Sequence, residues 1–149
     1  MTHRPEVRAL VHAGKLRERR RAHTQALAFQ DQAEARLQSA GILRQANDVI
    51  SASDIYCAAI WDALRALMEE SGLQLGTAKG EEGQHAITME FGAAQLRNSS
   101  EEREAGSALD AIRSQRNANH YRVASPRLGA LPRFAGIVVR AARSRIGSE

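Results

Sequence analysis

The stretch Ser51-Ala-Ser-Asp-Ile-Tyr-Cys-Ala-Ala-Ile-Trp-Asp-Ala-Leu-Arg-Ala-Leu-Met68 decides the fold class. Ile55, Ala58, Ala59, Trp61, Ala63, Leu64, Leu67 and Met68 recur at helical spacing and lay a broad apolar face along one helix. Ser51 or Ser53 stands where a cap is needed, and Asp54 suits the positive end of the helix dipole. Gly72 marks the end through a left-handed residue. A face this wide has to be covered by further helices.

Those helices are legible on either side. From about Asp31 to Asp48 the apolar positions Ala33, Leu37, Ala40, Ile42, Leu43 and Ala46 keep a helical period. Gly41 weakens that segment by about 1 kcal/mol against alanine and offers a place for a kink. After a glycine-rich loop, Gly76 to Gly83, a third helix is expected over Gln84–Arg97, with Ile87, Met89, Phe91, Ala94 and Leu96 as its apolar positions. Ser99 with Glu102 forms a capping box for a fourth helix, Glu101 to Tyr121, which Ser125-Pro126 closes off. A last helix is expected over Leu131–Ile146, carrying Phe134, Ile137, Val138 and Ala141. Short connections between four or five helices predict an all-α, up-and-down bundle over residues 31–149. Residues 1–30 form a basic arm or an extra helix, with Val7, Leu10 and Val11 at partial helical period.

Composition agrees with this reading. The 149 residues are 43% hydrophobic and only 4% aromatic, which suits closely packed helices better than a sheet. A chain of this length fits one domain and buries enough surface to need neither disulfide nor structural metal. Cys57, the single cysteine, lies in an apolar run and reads as a core filler in a reducing cytoplasm. No apolar stretch has the length of a membrane span, and Met1 to Arg21 lacks the apolar segment of a secretory signal. A cytoplasmic location is therefore expected. The formal net charge is +4, and all basic residues except Lys15 and Lys79 are arginine. Guanidinium forks grip phosphates bidentately, so the surface favours an anionic partner.

The chemistry-bearing segment is the C-terminal half of the fourth helix, Leu109-Asp-Ala-Ile-Arg-Ser-Gln-Arg-Asn-Ala-Asn-His-Tyr121. Ala105, Leu109 and Ile112 define an apolar stripe, and the next positions on it are Arg116 and His120. Arg113 and Asn117 flank them. Burying arginine and histidine without partners is costly, so a groove, an interface or an anionic ligand is implied. A histidine near neutral pKa can move the proton of a 2′-hydroxyl or of a leaving oxygen. Arginines can neutralise the phosphate and its transition-state charge, Asn117 can orient, and Tyr121 can donate to phosphate or stack on a base. No metal or cofactor is required. The plain structural alternative is a set of cations complementing a helix C-terminus.

The run Arg113-Ser-Gln-Arg116-Asn117-Ala-Asn-His120-Tyr121 resembles the signature of HEPN domains, a helical family of prokaryotic toxins and nucleotidyltransferase partners. Its hallmark is an arginine, four to six residues and a histidine, often with a polar residue after the arginine. Counted from Arg113, six residues precede His120, but Ser114 follows; counted from Arg116, Asn117 follows, but three residues precede His120. The alanine-rich run Tyr56–Met68 with Gly72, and Gln84-His85-Ala86, are similar to the family's second helix and the start of its third. The resemblance implies a metal-independent endoribonuclease acting as a homodimer, a toxin or phage-defence component with a composite site across the dimer interface. His120 would be its acid/base, with Arg113 and Arg116 on the phosphate and Asn117 and Tyr121 in support. It also implies RNA as substrate and a nucleotidyltransferase-type antitoxin as partner. Two other readings stay open: a non-catalytic HEPN-like module that binds RNA or docks a partner, and a structural bundle.

Elsewhere the signals are plainer. Arg17, Arg19, Arg20 and Arg21 form either a solvated helix face or an RNA contact. His85 with Glu81 and Glu82 offers too few ligands for a metal site. Glu69-Glu70 and Glu101-Glu102 read as solvated helix ends, and Trp61 with Phe91 and Phe134 as core.

Overall fold

A computed structural model describes residues 3–76, 83–119 and 128–147, with the side chains of 115–119 outside the description. The element order is α1 (Pro5–His12), β1 (Leu16–Glu18), α2 (His23–Gln45), α3 (Val49–Glu70), β2 (Leu73–Leu75), α4 (Gln84–Gln95), α5 (Ser100–Asn119) and α6 (Leu131–Ile146). The architecture is the expected all-α bundle, and among the described residues no helix is long and apolar enough to cross a membrane.

Helix α3 is the centre of the bundle and packs against α2, α4, α5 and α6. Its partnership with α2 is written in alanine. Ala26, Ala33 and Ala40 of α2 and Ala52, Ala59 and Ala66 of α3 repeat every seven residues, and all six are fully buried. A heptad repeat keeps one seam facing a partner helix, and alanine lets two helix axes come close. The short turn at 46–48 makes the pair antiparallel, so Ala26, Ala33 and Ala40 stand level with Ala66, Ala59 and Ala52.

The turn also relocates the start of α3. The expected Ser51 or Ser53 cap is replaced by Asp48, whose Oδ1 accepts from the Ser51 N–H at 3.1 Å. An aspartate acceptor at that place satisfies an otherwise orphaned amide about one turn earlier than the serines could. Asn47, at φ 61°, makes the reversal, a conformation that asparagine tolerates. Helix α2 begins at His23, well before the expected Asp31; the apolar pattern misses this first part because one of its buried positions is the polar Gln30. Its Nε2 donates to Val139 O of α6 at 2.9 Å and to Glu34 Oε2 at 3.1 Å. Ile42, expected on the apolar face, is instead 62% exposed.

The two short strands were not legible in the apolar periodicity. β1 and β2 pair antiparallel, with Leu16 opposite Leu75, Arg17 opposite Gln74 and Glu18 opposite Leu73. Gly72 ends α3 at φ 71°, as the sequence predicts, and a Cβ there would stand 2.9 Å from Arg19 O. Both constraints favour glycine. The strands, together with buried Val7 and Leu10 of α1, tie the first residues of the chain to the core.

Helix α5 starts as expected. Ser99 Oγ accepts from the Glu102 N–H at 3.1 Å, and Glu102 Oε1 accepts from the Asn98 N–H at 3.2 Å. Gly92 of α4 allows the approach of α3 and α5, since a Cβ there would meet Leu64 and Leu109 side chains at 2.7–2.9 Å. Helix α6 is held at its end by two arginines. Arg143 binds both carboxylate oxygens of Glu34 at 2.8 Å and Asp31 at 2.8 Å, and Arg145 pairs with Glu102. Glu102 is therefore not a solvated end. Burial pushes its carboxyl upward, but the hydrogen bonds from Arg145 and the Asn98 amide prevail and hold it below the ordinary glutamate range.

Two substitutions in α2 contrast the alanine seam with a position that faces open space. Ala33→Leu overpacks it and lowers stability by about 1–3 kcal/mol. Gly41→Ala, where a Cβ meets nothing described within 4 Å, raises stability by about 1 kcal/mol, a melting shift of roughly 2–4 °C. Calorimetry on both variants measures this contrast. A depressed carboxyl pKa contributes stability that is fully present above the unfolded value and lost as pH falls through the folded one. Glu102→Gln is thus expected to cost about 1–3 kcal/mol at neutral pH. In urea titrations the gap to the intact protein closes as pH drops below about 4.

Candidate functional site

The site grows from the apolar stripe of α5. Ala105 and Leu109 are fully buried and Ile112 is 8% exposed, so these three positions form the buried stripe that the sequence predicts. Arg113 is the first cation beyond it. Its Nη2 donates to Asp110 Oδ1 at 3.0 Å, one turn back. Its Nε is buried and has no hydrogen-bond partner among the described residues. Arg116, Asn117, His120 and Tyr121 lie outside the described side chains. The predicted convergence of His120 with Arg113 and Arg116 therefore rests on sequence.

Arg113 borders a cavity of about 390 Å³ between α3, α4 and α5, whose walls also include Arg36, Cys57, Trp61, His85 and Met89. Arg36 reaches in from α2 and pairs with Asp62 Oδ2 at 2.7 Å. Asp62 is buried, and desolvation holds its carboxyl above the ordinary aspartate range, with Arg36 opposing that rise. Trp61 departs from its predicted core role. It is half-buried and stacks on His85, with ring centroids 3.8 Å apart and planes 30° from parallel. Phe91 is fully buried as expected, and Phe134 packs at the core's margin beneath the Arg133 guanidinium.

Sequence reasoning did not find this cavity. Arg36 and Arg113 are distant along the chain, and only the crossing of α2 over α3 brings them to one place. The usable signal was on α3 itself: Cys57, Ala58 and Trp61 lie beside the wholly buried row, on a flank that neighbouring helices cover incompletely. Cys57 is buried as predicted, but it also lines the cavity.

The second basic region sits where β1 runs past the end of α3. Arg17 is in β1 and Arg19 to Arg21 follow it, so the cluster is not a helix face. Arg19 N donates to Gly72 O and Ala22 N to Glu69 O, at 2.9 and 3.1 Å. These bonds bring the arginines onto Glu69 and Glu70, which are 5% and 8% exposed. The expected solvated pair is therefore buried, because β1 folds back over the helix end. Arg21 Nε and Nη2 donate to the two Glu70 oxygens at 2.7 and 3.2 Å, and His23 Nδ1 lies 2.8–2.9 Å from both. Arg19 lies 3.7 Å from Glu69 and reaches Gln74 at 3.3 Å. Arg20 is exposed and makes no hydrogen bond or ion pair among the described residues.

Among the described residues no group of three or more His, Cys, Asp or Glu side chains could hold a metal ion. His85 stacks on Trp61, while Glu81 and Glu82 lie outside the described residues. No protein-family model, curated protein or solved structure matches the chain.

The neighbouring Arg20 and Arg21 should separate by role. Arg21→Ala leaves a buried carboxylate short of its bidentate partner and is expected to cost about 1.5–3 kcal/mol. Arg20→Ala is expected to stay within about 0.5 kcal/mol of the intact protein. Urea unfolding of the two variants side by side reads the difference directly.

Proposed function

We propose that the protein is a HEPN-like, metal-independent endoribonuclease that works as a homodimer. His120 serves as general acid/base, Arg113 and Arg116 hold the scissile phosphate, and Asn117 and Tyr121 support them. The observation that carries the reading is Arg113. It stands where the buried stripe of α5 ends, at a cavity rim, with a buried Nε that lacks a protein partner among the described residues. A phosphate oxygen would satisfy it, since unpaired buried donors are costly and charged donors bind phosphate strongly.

The reaction needs little else from the protein. A histidine takes the proton of the 2′-hydroxyl, whose oxygen attacks the adjacent phosphorus and expels the 5′-oxygen, which is then reprotonated. Guanidiniums neutralise charge that builds on the phosphoryl oxygens. A second copy of the chain places another Arg113–Tyr121 segment opposite the first, and the partner class is the nucleotidyltransferase-type antitoxin or a defence complex built on it.

RNA incubated with the protein in excess chelator is expected to be cut, and His120→Ala and Arg113→Ala are each expected to slow cleavage about 100-fold or more. Cleavage that survives His120→Ala, or that demands a divalent ion, overturns the mechanism. RNA bound but never cut, with affinity falling steeply in salt, would assign a non-catalytic RNA-binding role instead.

A further inference from the structure

We infer that the cavity between α3, α4 and α5 is a nucleobase pocket that receives one unpaired base of the bound RNA. The inference rests on the RNA reading above but concerns different residues. At about 390 Å³ the cavity falls within the size of small-ligand sites, roughly 300–1,000 Å³. Its walls combine two kinds of surface. Cys57, Ala58, Met89 and Ile112 are apolar, and the stacked Trp61 and His85 rings extend a π face at the rim. Against these stand two guanidiniums, Arg36 of α2, already paired with Asp62, and Arg113 of α5, whose Nη2 holds Asp110 while its buried Nε has no partner among the described residues.

That combination selects among occupants. A purely apolar ligand leaves the buried Arg113 Nε without an acceptor. A bare inorganic anion makes no use of aromatic and thioether walls. An unpaired nucleobase has a flat face for stacking and an edge of carbonyl and ring-nitrogen acceptors for arginine, and its attached phosphate suits the same cations. The pocket also lies next to the α5 segment proposed to hold the phosphate, so a base seated there would fix which phosphate is presented.

Trp61 is the chain's single tryptophan, so its fluorescence reports the pocket directly. The intact protein is titrated with the four ribonucleoside 5′-monophosphates, with ribose 5-phosphate, and with 2′-O-methyl hexanucleotides, which cannot be cut. Saturable quenching is expected from the hexanucleotides and, at higher concentration, from at least one monophosphate, with none from ribose 5-phosphate. Ala58→Leu, which fills the cavity from a half-buried α3 position, is expected to weaken the quenching affinity tenfold or more with unchanged circular dichroism. If that variant does not fold, His85→Ala, at an exposed position, replaces it with an expected loss of at least threefold.

The inference is overturned by quenching from ribose 5-phosphate equal to that from the nucleotides, by no quenching at all, or by affinity unchanged in a folded Ala58→Leu. Quenching by mononucleotides but not by the hexanucleotides also overturns it, by assigning the cavity to a free nucleotide. Its failure is separable from that of the ribonuclease reading, because every probe is uncut: RNA cleavage without base-dependent quenching removes the pocket alone.

Discussion

The antiparallel seam of alanines between α2 and α3 is the constraint on which the remaining structure depends. Six fully buried alanines at heptad spacing fix both the distance and the register of the two longest helices. Side chains of this size contribute little apolar area each, so the gain lies in close backbone approach and in the many dispersion contacts that it allows. With that pair fixed, the bulkier residues of α3 turn to α4, α5 and α6. Ile60, Leu64 and Met68 are buried within 1% of completely, as are Phe91 of α4, Leu96 just after it and Leu109 of α5.

Charge finishes what packing begins. The buried carboxylates of Glu69 and Glu70 at the end of α3 need cations, and the arginine-rich strand segment supplies them. Arg21 and His23 share one carboxylate, and the sheet pairing of Leu16–Glu18 with Leu73–Leu75 brings them within reach. Nearby, Arg143 and Arg145 bind α6 to α2 and to the first turn of α5, and Arg145 also donates to Gln95 O, whose side chain reaches Ser71 at the end of α3. Much of the arginine content is thus structural, and even the two arginines at the α3–α4–α5 cavity, Arg36 and Arg113, each hold an aspartate.

That cavity shares its helix with the seam. Along α3 the alanine row faces α2, while Cys57, Ala58 and Trp61 lie on a flank left partly open. One helix therefore supplies half of the alanine seam and one wall of the candidate binding site. A rigid wall suits recognition, because a pocket built on packed helices holds its shape before a ligand arrives.

By itself the sequence determined the helical bundle, the α6 boundaries, the Ser99–Glu102 cap, the end of α3 at Gly72 and the stripe Ala105–Leu109–Ile112. All of these are local: a period of 3.6, a side-chain cap or a left-handed residue acts within one or two turns. The Arg113–Tyr121 cluster is also a local sequence feature, polar residues where an apolar stripe should continue, but beyond Ser114 its side chains lie outside the described residues. Only the tertiary structure decided that Trp61 leaves the core, that Arg36 meets Arg113 at one cavity, and that Glu69 and Glu70 are buried beneath β1. The reason is physical: three-residue strands carry too short a pattern to read. Which flank of α3 stays open, or which arginine finds a buried carboxylate, depends on helices far apart in the chain crossing in space.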